Sequence, residues 1–263
     1  MKKFVACLLT LVFALSLACA SAETVKLVIG ASSTPHAEIL EQAKEALAAK
    51  DIELEVVIFD DYVQPNLQLD GGDLDANYFQ HIPYLENFNA EQGTKLVAIG
   101  SVHYEPMGIY LNPAKDATLE TLPDGAVVVV PNDPTNEARA LRTLEYNGLI
   151  KLAESAGETA TVLDIAENPK NFSFVEVNAE QVARTLADAD LAVINSNYAL
   201  LAGKEVVGTP VAYESPDVAY PNVVAVREGD DREALKTLVE VLQSDEMVQW
   251  ILEKYNGAVV PIK

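Results

Sequence analysis

The clearest hydrophobic pattern in the chain is a run of four valines, residues 127–130, that passes directly into a polar segment. A continuous apolar run of this kind predicts a strand buried on both faces, as in a parallel sheet. Asp133 is then a favourable N-cap, and Pro134 suits the first helical position because its missing N–H would be unpaired there anyway. The pattern therefore predicts a strand, a tight turn and a helix that ends near Gly148.

This strand–turn–helix unit predicts a place where a ligand could bind. Unpaired backbone N–H groups and the positive end of the helix dipole lie at the carboxyl edge of the sheet, where open α/β sheets bind ligands. Arg139 follows less than two turns into the predicted helix. One interpretation is that Arg139 and the turn hold an anion, most simply a carboxylate. The other is that Arg139 pairs with a nearby surface acid.

Apolar segments repeat this alternation of strands and helices along the chain. A strand at residues 25–29, a helix at 36–50 and a strand at 54–59 form a βαβ unit, which requires a parallel sheet. Further strands are predicted near residues 74–79, 95–99, 126–130, 173–177, 191–194 and 222–226, and residues 101–110 are predicted to begin as a loop. Two helices, near residues 231–243 and 244–255, close the chain.

Two α/β lobes account for this order of elements. The final strand and two helices are too few to form a domain, so we expect them to return to the first part of the chain. Residues 23–111 and 214–263 then form lobe 1, and residues 112–213 form lobe 2. Two crossings, near residues 110–112 and 213–221, would join the lobes and leave a cleft in which a small ligand can bind.

The first 22 residues differ from the rest of the chain. Two lysines precede an uncharged apolar run over residues 4–18 and a small-residue ending, which is the pattern of a secretory signal peptide. Cleavage after Ala22 would release a secreted protein, whereas cleavage before Cys19 would give a membrane-anchored lipoprotein; both predict an extracytoplasmic location. Because Cys7 is the only other cysteine, we expect no disulfide in the mature chain.

Charge narrows the class of partner. Removal of the two lysines in residues 1–22 takes the net charge from −22 to −24. Such an acidic chain disfavours nucleic acid and anionic lipid surfaces as partners. A zwitterion with one carboxylate stays compatible, because a local arginine outweighs a distant field that salt screens.

Asparagines stand at the ends of predicted strands, at Asn195, Asn197 and Asn222. An amide offers both donors and an acceptor, which suits a ligand that carries an ammonium and a carboxylate. Turn formation explains any single one of these asparagines equally well. Their combination favours a binding site.

An aromatic segment, Tyr78-Phe79-Gln80-His81, ends another predicted strand. Because side chains alternate along a strand, Tyr78 and Gln80 face one way and Phe79 and His81 the other, so we expect one pair to line the cleft. Phe79 and Tyr104 would enclose a flat or thioether side chain, since sulfur packs well against ring edges.

The sequence contains no recognisable enzyme motif. It lacks the G-x-S-x-G and H-E-x-x-H signatures, a P-loop and a dinucleotide fingerprint, so we expect no catalytic activity and no cofactor. An extracytoplasmic enzyme on the same scaffold remains a hypothesis for which no residue pattern argues. His36, His81 and His103 lie in three different predicted turns without ligand spacing. A metal-binding solute receptor that uses these three histidines and an acid is the alternative function.

Several short segments, in order over nearly the whole mature chain, carry a family resemblance. They are DDYV at 60–63, DANYFQH at 75–81, PNDPTN at 131–136 with Arg139, ENPK at 167–170, AVIN at 192–195 with Tyr198 and Ala199, and SDE at 244–246. In these segments the sequence closely resembles the NlpA/MetQ family, the methionine-binding proteins of ABC importers. Members often have glycine before the arginine, where this chain has Ala138, and the region from His103 to Pro106 varies.

The resemblance implies a type II periplasmic-binding-protein fold, in which two α/β lobes with two hinge crossings close on a ligand in a central cleft. It implies a function in capturing L-methionine or a close analogue, and partners in a membrane permease and its ATPase. We expect a monomer. Members that bind D-methionine or a methionine-containing dipeptide are known, and the departure at Ala138 leaves the choice among these ligands open.

The resemblance also implies roles for particular residues. Arg139 matches the arginine that pairs with the methionine carboxylate, and Phe79 and Tyr104, with His81 nearby, match the residues that enclose the side chain. Asparagines at positions 195 or 197 and at 222 match those that hold the polar end. The complete expected ligand-binding set is Arg139, Asn222, Asn195, Asn197, Phe79, Tyr78, His81, Tyr104 and Asn136.

Overall fold

A computed structural model describes residues 24–217 and 220–262. The predicted signal segment, with Cys7 and Cys19, lies outside the described residues. Within the described ranges, no helix is both long enough and apolar enough to cross a membrane.

Strands and helices alternate along the chain. The strands are β1 (Val25–Ser32), β2 (Ile52–Phe59), β3 (Ala76–His81), β4 (Leu96–Tyr104), β5 (Gly108–Leu111), β6 (Val127–Pro131), β7 (Lys151–Leu152), β8 (Ile165–Glu167), β9 (Ser173–Val177), β10 (Leu191–Ile194), β11 (Ala212–Tyr213), β12 (Asn222–Arg227) and β13 (Val260–Pro261). The α-helices are α1 (Glu38–Ala48), α2 (Gln64–Gly71), α3 (Ile82–Gln92), α4 (Pro134–Tyr146), α5 (Ala179–Thr185), α6 (Ser196–Ala202), α7 (Lys204–Val207), α8 (Glu233–Leu242) and α9 (Asp245–Tyr255). Short turns of other helical types occur at Ser33–Ala37, Val162–Asp164 and Leu186–Asp188.

The two main sheets form the centres of two lobes. The first has the order β13-β4-β12-β3-β1-β2, and β1 pairs in parallel with both β2 and β3, as the predicted βαβ unit requires. The second has the order β11-β5-β10-β6-β9. Since β12 and β13 come from the end of the chain, the tail returns to the first sheet as expected.

The crossings between the sheets differ slightly from the predicted positions. Strand β5 pairs antiparallel with β10 and β11 of the second sheet, so the first crossing lies at residues 105–107 rather than near 110–112. A four-residue apolar run does not reveal which sheet will provide its hydrogen-bond partners, which is why the sequence misplaced this boundary. The second crossing runs between β11 and β12, over residues 214–221, and Val218 and Ala219 within it lie outside the described residues.

The unit formed by β6 and α4 has the structure that its sequence predicts. Strand β6 lies between β10 and β9; Val128, Val129 and Val130 are completely buried, and Val127 is partly buried. The helix begins at Pro134, and the carboxylate of Asp133 accepts a hydrogen bond from the backbone N–H of Asn136 at 3.0 Å. Gly148 follows the helix with a φ of +72°, a conformation that favours glycine.

Two strands extend further than the sequence indicated. Strand β3 ends at His81, and all six of its residues are buried because it lies between β1 and β12. Strand β4 continues through Tyr104, whereas a loop was expected from residue 101. Pairing with β12 and β13 extends β4, and the side-chain pattern of β4 itself does not indicate this pairing.

Candidate functional site

A cleft lies between the two lobes. Its walls come from the end of β3, the start of β12, the first crossing and the beginnings of α4 and α6. The lining residues are Tyr62, Phe79, Gln80, His81, Tyr84, Glu105, Asn136, Arg139, Asn195, Ser196, Asn197 and Asn222.

Most of the predicted ligand-binding residues meet in this cleft, but Tyr78 and Tyr104 are not among its lining residues. Tyr78 is completely buried and its hydroxyl donates a hydrogen bond to Nδ1 of His103. Tyr104 lies beside a separate groove behind the crossings, and its hydroxyl donates to the carboxylate of Glu214 at 3.0 Å. The ring of Tyr78 instead packs edge-on against His36 and His103, with centroids 4.8 and 5.4 Å apart.

Arg139 is buried, with 5% of its surface exposed, and it is paired with an acid. Its Nε and Nη2 donate to the two carboxylate oxygens of Glu214 at 2.7 and 2.6 Å, which is the bidentate geometry of a strong ion pair. Nη2 also donates to the backbone carbonyl of Glu105 at 2.7 Å. The partner acid is therefore a buried residue of the second crossing and not a surface residue.

The remaining guanidinium nitrogen of Arg139 is still available. Among the described residues Nη1 has no hydrogen-bond partner, and Arg139 lines the cleft. Burial acts to lower the pKa of the guanidinium, but the hydrogen bonds and charge of Glu214 outweigh it and raise that pKa above its usual value. Arg139 thus brings a permanently charged group to the lining of the cleft.

Asparagine side chains supply the polar groups around the arginine. Asn222 Oδ1 accepts from Nε2 of His36 at 3.0 Å, and its amide nitrogen has no hydrogen-bond partner in the described ranges. Asn195 donates to Oδ1 of Asn136 at 2.8 Å, while its own Oδ1 is buried without a partner. Asn197 accepts from the hydroxyl of Tyr62 at 2.7 Å. The cleft therefore holds unpaired donors and an unpaired acceptor.

Aromatic rings form the apolar wall of the cleft. The ring centroids of Tyr62 and Phe79 lie 5.8 Å apart, and those of Phe79 and Tyr84 lie 6.0 Å apart. Phe88 packs in the same cluster but does not line the cleft. These distances are typical of favourable ring–ring contacts, so the wall is preformed.

The three histidines do not form one metal site. His36 and His103 lie together beside Glu105, with candidate ligand atoms within 4.8 Å of one another, whereas His81 is not part of this group. Both ring nitrogens of His103 are already used, one by Tyr78 and the other by Glu105 at 2.7 Å. The proposed three-histidine metal receptor therefore has no support in this arrangement.

Burial keeps all three histidines neutral near pH 7. It lowers the pKa of His36 to about 4 and those of His81 and His103 to about 3. Nδ1 of His81 accepts the backbone N–H of Tyr84 at 3.2 Å, which fixes the ring at the start of α3. The histidines thus act as hydrogen-bonding groups and not as charges.

Comparison with known proteins identifies the family of the chain. The model of the NlpA lipoprotein family matches residues 27–263. The chain belongs to the NlpA lipoprotein family. This membership confirms the resemblance drawn from the sequence and the prediction of a binding protein without catalytic activity.

Relatives within the NlpA lipoprotein family have been named for methionine. The methionine-binding lipoprotein MetQ of Bacillus subtilis is 42% identical over 278 residues, covering 100% of this chain and 99% of its own. The D-methionine-binding lipoprotein MetQ of Escherichia coli O157:H7 is 44% identical over 218 residues, covering 81% of this chain and 80% of its own. A nutrient binding protein from Burkholderia cenocepacia, solved bound to methionine, superimposes with a TM-score of 0.85 at 42% identity, covering 90% of this chain and all of that one. The fold is therefore the two-lobed periplasmic-binding-protein fold that the sequence predicts.

Sequence reasoning assigned no ligand role to several residues that line the cleft. Glu105 is one acid among 40 acidic residues, and only its position in the first crossing distinguishes it. Tyr62 and Tyr84 lie in segments where packing alone explains an aromatic residue, and Ser196 follows Asn195 at the start of α6. The sequence feature that could have pointed to these residues is their position beside a polar residue at the end of a strand or in a crossing.

Proposed function

We propose that this chain is an extracytoplasmic substrate-binding protein that captures methionine in the cleft between its lobes for an ABC importer. The observation that carries the proposal is the buried, permanently charged Arg139 in the lining of a cleft that has an aromatic wall. A buried cation with a free donor suits a ligand carboxylate, and the rings suit an apolar thioether. The names of the relatives agree with this ligand.

The arrangement of donors suggests how the ligand would be oriented. The carboxylate would accept hydrogen bonds from Nη1 of Arg139 and from the amide nitrogen of Asn222. The side chain would extend along Phe79, Tyr62 and Tyr84. His81 and Asn136, which lie 3.3 Å apart through Nε2 and Oδ1, would close the space between these two regions.

Lobe closure would enclose the ligand. Tyr62 donates to Asn197 across the cleft, and the hydroxyl of Tyr198 donates to the backbone carbonyl of Asp60 at 2.9 Å. The rings of Tyr62 and Tyr198 also lie 5.0 Å apart. These contacts join the lobes on the ligand side, so we infer that they break for ligand entry and form again after it.

The same proposal assigns a location and partners. The names of the relatives as lipoproteins favour a lipid anchor on Cys19 over release after Ala22. A monomer held at the outer face of a membrane would deliver its ligand to a permease whose ATPase lies on the other side. The negative charge of the chain would keep it from adhering to the anionic lipid surface itself.

A thermal-shift screen tests the ligand. L-methionine, D-methionine and methionine dipeptides should be compared with the other amino acids and with transition metals. A ligand present at about 100 times its dissociation constant adds about 2.7 kcal/mol to the free energy of unfolding, which raises the melting temperature by several degrees. We expect a methionine compound to give the largest shift. A shift with a transition metal and with no amino acid would overturn the proposal.

Truncation of the aromatic wall should affect the side-chain end of the ligand. Phe79→Ala is expected to weaken methionine binding by roughly tenfold or more, because an apolar contact of this size contributes about 1.5–3 kcal/mol. Binding of 2-aminobutyrate, which has the same charged end and a shorter side chain, should weaken less. Calorimetric titration of both ligands measures the difference.

Phe88→Ala is the matched control for this change. It removes a ring from the same cluster but outside the cleft lining, so it should lower stability by a similar amount and leave the methionine affinity unchanged. Equal losses of affinity in the two variants would assign Phe79 to packing alone.

A further inference from the structure

The carboxylate of Glu214, the first residue of the second crossing, accepts hydrogen bonds from both lobes and from the first crossing. Its Oε2 accepts from Nε of Arg139 at 2.7 Å. Its Oε1 accepts from Nη2 of Arg139 at 2.6 Å, from the backbone N–H of Met107 at 2.8 Å and from the hydroxyl of Tyr104 at 3.0 Å. Because Glu214 is only 6% exposed, these bonds form a buried network within the hinge.

Glu214 is fixed to lobe 2. Its backbone N–H donates to the carbonyl of Met107 at 3.0 Å, which continues the antiparallel pairing of β5 with β11 by one more residue. Met107 directly precedes β5, and Arg139 lies in α4, so both of these partners belong with the second sheet. The Glu214 carboxylate therefore moves with lobe 2 when the lobes rotate.

Tyr104 belongs to the other lobe. It ends β4, where its backbone pairs with Val260 of β13 in the first sheet. Its ring lines the groove behind the crossings, and only two residues separate it from Met107 in the chain. The hydrogen bond from Tyr104 to Glu214 therefore spans the hinge on the side away from the cleft. Burial and the charge of Glu214 raise the pKa of the Tyr104 hydroxyl, so it remains a donor near pH 7.

This hydrogen bond is present while the lobes are joined across the cleft. The hydroxyls of Tyr62 and Tyr198 reach the opposite lobe on the ligand side, at 2.7 and 2.9 Å from their acceptors. Rotation about the crossings changes the distance between groups that belong to different lobes, and a hydrogen bond weakens steeply outside a narrow range of length and angle. A bond that spans the hinge therefore favours the arrangement in which its geometry is met.

We propose that Tyr104 is a positioning residue for lobe closure, and that its hydroxyl, bound to Glu214, forms a hinge latch that stabilises the closed state. This inference rests on the proposed function, because it requires that a ligand is captured by closure of the lobes. Tyr104 does not line the cleft, so the latch contributes equally for every ligand that the closed cleft holds. Since a ligand enters while the cleft is open, the latch acts on release and not on capture.

Tyr104→Phe tests the latch, because it removes the hydroxyl of a partly buried residue and keeps the ring. Calorimetry should give the affinities of the wild-type chain and the variant for methionine and for the shorter 2-aminobutyrate. We expect both affinities to fall by the same factor, about 5- to 20-fold, because a hydrogen bond to a charged group contributes about tenfold or more when fully buried. Surface plasmon resonance with methionine should place this loss in the dissociation rate, with the association rate unchanged within about twofold.

Two further variants separate the latch from other causes. Tyr213→Phe is the matched control, because Tyr213 lines the same groove and its hydroxyl has no hydrogen-bond partner among residues 24–217 and 220–262. It should leave the affinities and both rates unchanged. In a Glu214→Gln background, Tyr104→Phe should have a smaller effect than in the wild-type chain, because the acceptor has lost its charge. An undiminished effect there would contradict action through Glu214.

The latch and the proposed function fail in different ways. If Tyr104→Phe binds and releases methionine as the wild-type chain does, the proposed function stands and the latch is wrong. A loss of affinity for methionine without a loss for 2-aminobutyrate would also overturn the latch, because Tyr104 would then contact the ligand side chain. If the thermal-shift screen identifies another ligand, the proposed function fails, and the rate constants for that ligand decide on the latch.

Discussion

Arg139→Ala is expected to weaken methionine binding by roughly 10²- to 10³-fold, the largest loss for any residue of the cleft. The change removes the one cation that lines the cleft within the described residues and leaves the ligand carboxylate buried without a compensating charge. Removal of one member of a buried ion pair typically costs about 3–5 kcal/mol. Calorimetric titration with methionine measures the loss directly.

The pairing of Arg139 with Glu214 requires a specific control. Arg139→Ala also leaves the buried Glu214 carboxylate unpaired, so the variant is expected to be less stable than the wild-type chain. The double variant Arg139→Ala with Glu214→Gln removes that unpaired charge and should recover part of the melting temperature without recovering methionine affinity. Recovery of affinity together with stability would show that Arg139 supports the fold and does not contact the ligand.

Asn222→Ala is expected to weaken methionine binding by roughly 10- to 100-fold. Its amide nitrogen has no partner among the described residues, and a hydrogen bond to a carboxylate contributes about 1.5–3 kcal/mol. The alanine variant also removes the acceptor of His36 Nε2, which lies 3.0 Å from Oδ1. Loss of binding in this variant alone would therefore have two explanations.

The variant Asn222→Asp distinguishes a lost contact with the ligand from a lost hydrogen bond to His36. Aspartate keeps an oxygen for His36 but replaces the free donors with a second oxygen, which repels a ligand carboxylate. If Asn222 binds the carboxylate, this variant should lose at least as much affinity as Asn222→Ala while keeping more of the melting temperature. Wild-type affinity in Asn222→Asp would contradict a direct role.

Local features of this protein could be predicted from its sequence, because they depend on neighbouring residues. The β6–α4 unit follows from four valines, an aspartate cap and a proline, all within eight residues of chain, and the structure has it as predicted. The two-lobe fold followed from the order of strands and helices together with the family resemblance, and the comparisons confirm it.

Features that depend on distant partners could not be predicted in this way. Arg139 and Glu214 are 75 positions apart, and nothing in the sequence selects Glu214 from 40 acidic residues. The extension of β4 depends on pairing with β12 and β13, which come more than 100 residues later. That pairing puts Tyr104 in a strand and not in the expected loop, and Tyr104 does not line the cleft. The buried partner of the Tyr78 hydroxyl, His103, is likewise 25 positions away in the sequence.

The contacts of Arg139 place its guanidinium between the two connections that join the lobes. One guanidinium reaches the backbone of the first crossing through Glu105 and the carboxylate of the second crossing through Glu214. The Arg139 side chain thus links the two connections between the lobes. Because the lobes would rotate about these connections, a group that lies beside them moves least. The charged end of a ligand would therefore meet Arg139 in nearly the same position in the open and closed states. The aromatic rings and amides farther from the axis would move in to enclose the remainder of the ligand. In this arrangement the charged group of a ligand would bind before the lobes close around its side chain.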